Sequence, residues 1–162
     1  MKSKLLAAAV AVCISSCLFS ARAAVVNDSI NALFQQIVVS DPNSVPVTFI
    51  NDDTHPWTYS SSAIRSASLA KNETSEFSFT FSSDRRTEVQ FTLQAKNSTP
   101  SYYRVECYLD GVYQSYRAAS TATERFYLDA GVHTITFKDS VKTVQSSNYS
   151  LLSALRVREI AP

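Results

Sequence analysis

Six side chains in the middle of the chain are of types that could together recognise a ligand. Asp110-Gly111 stands between Leu109 and Val112. A two-residue type I′ loop needs positive φ at both positions, and Asp-Gly supplies it. A turn there sets a strand register. It predicts Leu109 opposite Val112, Tyr108 opposite Tyr113, Cys107 opposite Gln114, Glu106 opposite Ser115, Val105 opposite Tyr116 and Arg104 opposite Arg117. Tyr108 and Tyr113 then lie side by side, with Glu106, Arg104 and Arg117 on the same outer face. Tyr127, out of phase with Phe126 and Leu128, extends that surface if its strand lies nearby. Aromatic faces present apolar area at small entropic cost, and carboxylate and guanidinium groups fork onto hydroxyl pairs. The combination suits a polyol that is apolar on one face and polar at its edge. The competing reading is that tyrosine is a good strand former, and that a cross-strand tyrosine pair stabilises a hairpin by up to about 1 kcal/mol with no ligand at all.

Other reactive residue types do not assemble into a catalytic signature. Cys107 alternates with polar neighbours in a pattern that points it inward, where a thiol behaves as a small apolar side chain. His133 sits beside a turn and suits a structural hydrogen bond better than general-base work, and His55 precedes Pro56 in a loop. Two histidines and one thiol do not make a zinc set, and no Gly-x-Ser-x-Gly elbow is present. The two glycines of the 162-residue chain are too few for a dinucleotide or phosphate-cradling loop. With 15 Lys and Arg against 14 Asp and Glu, no basic field draws a nucleic acid. The reading is therefore noncatalytic, with no cofactor, no metal and no nucleic-acid partner. Asn-x-Ser/Thr triplets begin at Asn27, Asn72, Asn97 and Asn148, and in a chain so rich in Ser and Thr they carry no assigned role.

The elements that position these residues follow from hydrophobic periodicity. Ile30, Leu33, Phe34 and Ile37 recur at helical spacing after the capping candidates Asn27, Asp28 and Ser29, predicting a short helical leader within 24–42 that Asp41-Pro42-Asn43 ends. From there the period is two. Strands are expected around Val45, Val47 and Phe49, over 63–69, and over 76–81 with Phe77, Phe79 and Phe81 on one face. Others follow over 88–95, over 103–109 and 112–117, over 123–128 and 132–138, and over 153–160 with Leu155 and Val157 inward. Asp129-Ala130-Gly131 is expected to join 123–128 and 132–138 as a second hairpin. Short strands separated by turns at this spacing predict an all-β antiparallel β-sandwich over 43–162.

Residues 1–23 read as a signal peptide: a basic Met1-Lys2-Ser3-Lys4, an apolar run over 5–19 and a small-x-small Ala21-Arg22-Ala23 site. The apolar run is too short for a spanning helix. Ile14-Ser15-Ser16-Cys17 offers the alternative of a lipoprotein anchored at Cys17. A chain beginning near Ala24 keeps Cys107 alone and can form no internal disulfide.

Trp57, then Phe77-Ser78-Phe79-Thr80-Phe81, then Val105-Glu106-Cys107-Tyr108-Leu109-Asp110-Gly111, then the run from Phe126 through His133 to Phe137, resembles in order the jelly-roll, carbohydrate-binding-module-like domains of secreted bacterial proteins. The galactose-binding-like and cleaved-adhesin families are among these. The resemblance covers roughly 45–160, and its most specific piece is 128–137. It implies a jelly roll and noncatalytic binding of a glycan or glycosylated cell surface, with Trp57 packed beneath the first strands. Many such domains carry calcium. Asn51-Asp52-Asp53 could contribute oxygens to it, or could be a solvated turn. The expectation is an exported binding module, secreted or periplasmic, with Tyr108, Tyr113, Glu106, Arg104, Arg117 and Tyr127 as its site. The alternative is an adhesin or structural component of the bacterial envelope that meets a protein partner, through the leader or an exposed strand edge.

Overall fold

A computed structural model describes residues 24–25, 28–96, 103–142 and 148–161. The expected signal peptide, the Cys17 alternative, Asn27 and the Asn97 triplet lie outside the described residues. Eleven strands are β1 (Ala24–Val25), β2 (Thr48–Asn51), β3 (Thr58–Ser60), β4 (Ala63–Arg65), β5 (Thr74–Ser83), β6 (Thr87–Lys96), β7 (Tyr103–Leu109), β8 (Val112–Arg117), β9 (Thr121–Leu128), β10 (Gly131–Val141) and β11 (Tyr149–Glu159). They form a six-stranded sheet in the order β1-β2-β5-β10-β7-β8 and a five-stranded sheet in the order β3-β4-β11-β6-β9. Every pairing between named strands is antiparallel. Apart from the β7–β8 turn, each connection from β4 onward passes from one sheet to the other. The fold is the expected antiparallel jelly-roll sandwich with one short N-terminal helix.

The core explains the alternation. Phe77, Phe79 and Phe81 of β5 are buried on one side of their strand and meet Phe91 of β6, Phe137 of β10 and Phe49 of β2 between the sheets. Each such ring stabilises the fold by about 1.5–3 kcal/mol relative to exposure. Trp57 stacks on Phe77 at 5.3 Å and is 1% exposed, and its indole N–H donates to Ser75 Oγ at 2.8 Å. Helix α1 (Asp28–Phe34) and a 3-10 turn (Gln35–Ile37) insert Phe34 and Ile37 into the same core, Phe34 meeting Phe49 and Phe77 edge-on. Of the four apolar positions expected on one helical face, Ile30 and Leu33 stay exposed.

The second expected hairpin is not one. The strand at 121–128 lies in the five-stranded sheet against β6, and the strand at 131–141 lies in the six-stranded sheet between β5 and β7. Asp129-Ala130-Gly131 is therefore an arch across the sandwich rather than a turn within a sheet. Phe126, Leu128, Ile135 and Phe137 still face inward as expected, because an arch preserves the inward parity of both strands.

Candidate functional site

Asp110 and Gly111 have φ of 50° and 78°, the positive pair that the β7–β8 turn requires. Leu109 pairs with Val112 and Tyr108 with Tyr113, as the turn predicts. The register then shifts: Cys107 pairs with Ser115, Glu106 with Tyr116 and Val105 with Arg117, so Gln114 is the extra residue of a β-bulge. One inserted residue reverses the faces of everything beyond it. Tyr116 therefore joins Tyr108 and Tyr113 outside, whereas Arg117 is carried to the inner side.

Arg117 is thus removed from the expected site. Its guanidinium pairs with Glu124 of β9, which also accepts a hydrogen bond from Ser115 Oγ, and together they close the rim between the two sheets. Tyr127 is removed as well. It stands on the outer face of the other sheet, opposite Glu88, with the Arg86 guanidinium 5.9 Å from its ring centre.

The four remaining residues do share one face. Tyr108 and Tyr113 meet edge to face at 5.8 Å, and Tyr113 and Tyr116 are each about half exposed. Glu106 is held from both sides, accepting from Arg104 at 2.6 Å on one oxygen and from the Tyr108 hydroxyl at 2.6 Å on the other. That hydrogen bond to Glu106 pushes the Tyr108 hydroxyl up to about 12, so it stays a donor at any ordinary pH. The neighbouring strands complete the surface. In β10, Thr136 stands opposite Tyr108 and Lys138 opposite Glu106; beyond them Lys138 bonds Glu76 of β5 at 2.8 Å and Thr136 bonds Ser78 at 2.9 Å. Glu76, Tyr108, Gly111, Thr136 and Lys138 line a shallow cleft of about 300 Å³. Sequence reasoning did not find Tyr116, Thr136, Lys138 or Glu76. The bulge hid the first, and only the order of strands in the sheet brings the other three beside the tyrosines.

A clip tethers the turn beside this cleft. His133 Nδ1 lies 2.8 Å from Asp110 Oδ2, and Nε2 donates to the Asp129 carbonyl at 3.1 Å, while Asp110 Oδ1 accepts from the Thr134 N–H at 2.8 Å. Burial pulls the imidazole's pKa down, but the bonds to Asp110 and Asp129 outweigh it and hold His133 above its ordinary value. Both ring nitrogens serve structure, as expected.

Two further polar groups are structural. Asn51 Oδ1 accepts from the Asp52 and Trp57 N–H groups, and Asp52 accepts from Thr54, His55 and Glu76 N–H groups at 2.7–3.1 Å. These oxygens of Asn51 and Asp52 are spent on building the loop that delivers Trp57. Inside the sandwich, Asp139 is fully buried, accepting from the Tyr103 hydroxyl at 2.6 Å and Ser150 Oγ at 2.8 Å, with Ser66 bonded to the Ser150 N–H at 2.8 Å. Burial pushes its carboxyl up to about 6. Cys107, also fully buried, is pushed by burial up to about 12 and is no nucleophile.

No protein-family model matches the chain, and no curated protein matches it. Among solved structures it is similar to the secreted serine protease VesC from Vibrio cholerae, with a TM-score of 0.63 and 14% identity over 82% of this chain and 27% of that one. The chain thus spans about a quarter of that protein's length, and the likeness is one of fold. Looser matches are TmCBM61, solved with β-1,4-galactotriose (TM-score 0.37, 8% identity, 71% of this chain and 89% of that one), and the C-terminal CBM6 of LamC from Zobellia galactanivorans (TM-score 0.37, 10% identity, 70% of this chain and 100% of that one). Among the described residues no helix is long and apolar enough to cross a membrane.

Proposed function

We propose that the protein is an exported, noncatalytic binding module, secreted or periplasmic, that takes a neutral carbohydrate on the outer face of its six-stranded sheet. The observation that carries this reading is the row of Tyr108, Tyr113 and Tyr116 beside a carboxylate already fixed by Arg104 and Tyr108. An interior-facing arrangement would serve packing, but Tyr113 and Tyr116 leave half their surface to solvent. A sugar ring has an apolar face for the tyrosines. Its hydroxyls can donate to Glu106 and Glu76 and accept from Lys138 and Thr136, all held in place before the ligand arrives. Surface ion pairs of this kind add little to stability, so their order is available for recognition.

Affinity electrophoresis through gels cast with soluble neutral polysaccharides tests the reading. Retardation of the protein in at least one gel, lost in Tyr113→Ala/Tyr116→Ala, is the expected result. Equal retardation of the variant would reject this face as the site.

A further inference from the structure

The outer face of the five-stranded sheet is charged differently from the tyrosine face. There, Arg104 and Lys138 each have a carboxylate partner, Glu106 and Glu76. On the five-stranded sheet, Arg65, Lys96, Arg125, Arg156 and Arg158 alternate with inward residues such as Ile64, Ala95, Val89 and Val157 and therefore project outward. Among the described residues, the carboxylates that meet this set are Glu88 and Asp41; both pair with Arg158, and Asp41 also feels the charge of Arg156. The net charge of the whole chain is only +1, so the cations on this face are a local concentration rather than a general excess.

Their arrangement is regular. Arg156 of β11 stands opposite Gln90 of β6, and Arg125 of β9 stands opposite Gln90 on its other side, donating to its side-chain carbonyl at 2.7 Å. Two strand spacings separate the two arginines, about 10 Å. Beside this row run hydroxyls and amides: Thr92 bonds Thr123 at 3.1 Å and Gln94 donates to Thr121 at 2.7 Å.

We propose that this face is a second binding surface, for an acidic polysaccharide. Its carboxylates pair with Arg125 and Arg156, and its hydroxyls lie along Gln90, Thr92 and Thr123. A flat corridor of guanidiniums, amides and hydroxyls matches a chain that alternates carboxylates with hydroxyls. Other polyanions match it less well. Single-stranded nucleic acid needs a run of open aromatic platforms, whereas of the two rings on this face among the described residues Tyr149 lies under Arg65 and Tyr127 alone is half exposed. A lipid surface needs several apolar side chains to insert, and among the described residues Tyr127 is the one exposed large apolar side chain on this face. The proposal does not depend on the tyrosine face.

The test is retention of the full chain on immobilised polygalacturonate at low and at physiological ionic strength. Loss of two charge-assisted contacts in Arg125→Gln/Arg156→Gln is expected to weaken retention about tenfold or more at physiological ionic strength. Lys71→Gln/Lys142→Gln, which makes the same change in net charge elsewhere, is expected to weaken it by less than about twofold. Arg125→Lys/Arg156→Lys keeps charge and loses the fork, so an intermediate loss is expected from a pair certain to preserve the surface charge. Tyr113→Ala/Tyr116→Ala should be retained like the parent. Equal losses in the glutamine pairs would reduce the effect to net charge and overturn the proposal. So would absence of retention at physiological ionic strength, or equally tight arginine-dependent binding of single-stranded DNA or phosphatidylglycerol vesicles.

Discussion

Replacing Asp139 by Asn should change how stability depends on pH, and the structure supplies sign and size. Asp139 of β10 is fully buried among hydroxyls, those of Tyr103 from β7, Ser150 from β11 and Ser66 after β4, and no cation among the described residues pairs with it. Desolvation therefore wins over the hydrogen bonds, and the carboxyl titrates at about 6 in the fold against 3.8 ordinarily. Between those two values the folded state holds a proton that the unfolded chain has released, so stability falls as pH rises, and above about 6 the loss is complete. At about 1.4 kcal/mol per pKa unit the loss is about 3 kcal/mol. Asn carries no such titration. Urea unfolding followed by the fluorescence of Trp57, the single tryptophan, should show the stability of Asp139→Asn relative to the parent improving by about 2.5 kcal/mol between pH 4 and pH 7.5, because part of the loss has already occurred at pH 4. Taking the difference removes every other titrating group. A difference that stays constant across this range, or that moves towards the parent with rising pH, would refute the desolvation argument.

Other consequences can be checked directly. Cys107 should resist thiol reagents at pH 8 in the folded protein and react once urea unfolds it, because burial pushes its thiol up to about 12. His133 should titrate above its ordinary value by NMR. Its raised pKa gives stability that is full below about 6.5 and disappears as pH rises through the folded-state value, and Asp110→Asn should abolish the elevation. Arg117→Ala should cost about 1–3 kcal/mol of stability by leaving Glu124 unpaired at the rim between the sheets, while leaving carbohydrate binding on the tyrosine face intact.

What was legible in the sequence was local. Phe77, Phe79 and Phe81 declared their inward face because a strand repeats every two residues, and Asp110-Gly111 declared its turn because few residue pairs accept positive φ twice. Leu128-Asp129-Ala130-Gly131 looked the same from inside the sequence, yet it spans the sandwich, since turn chemistry does not say which sheet receives the next strand. The bulge at Gln114 was equally silent. Its effect was to exchange Arg117 for Tyr116 in the site, because one extra residue inverts parity. Tyr127 failed for the reason the arch failed: its strand belongs to the other sheet. The arginines of that sheet face were individually visible, at Arg125, Arg156 and Arg158, but their concentration depends on β9, β6 and β11 being neighbours.

The central claim is that the tyrosine face of the six-stranded sheet takes a neutral carbohydrate. A glycan array probed with the protein and with Tyr108→Ala/Tyr113→Ala, both shown by Trp57 fluorescence to be folded, tests it most directly. Binding to a subset of neutral glycans that the variant loses is the predicted result. Silence of the folded protein across the array, or an unchanged pattern in the variant, would contradict it.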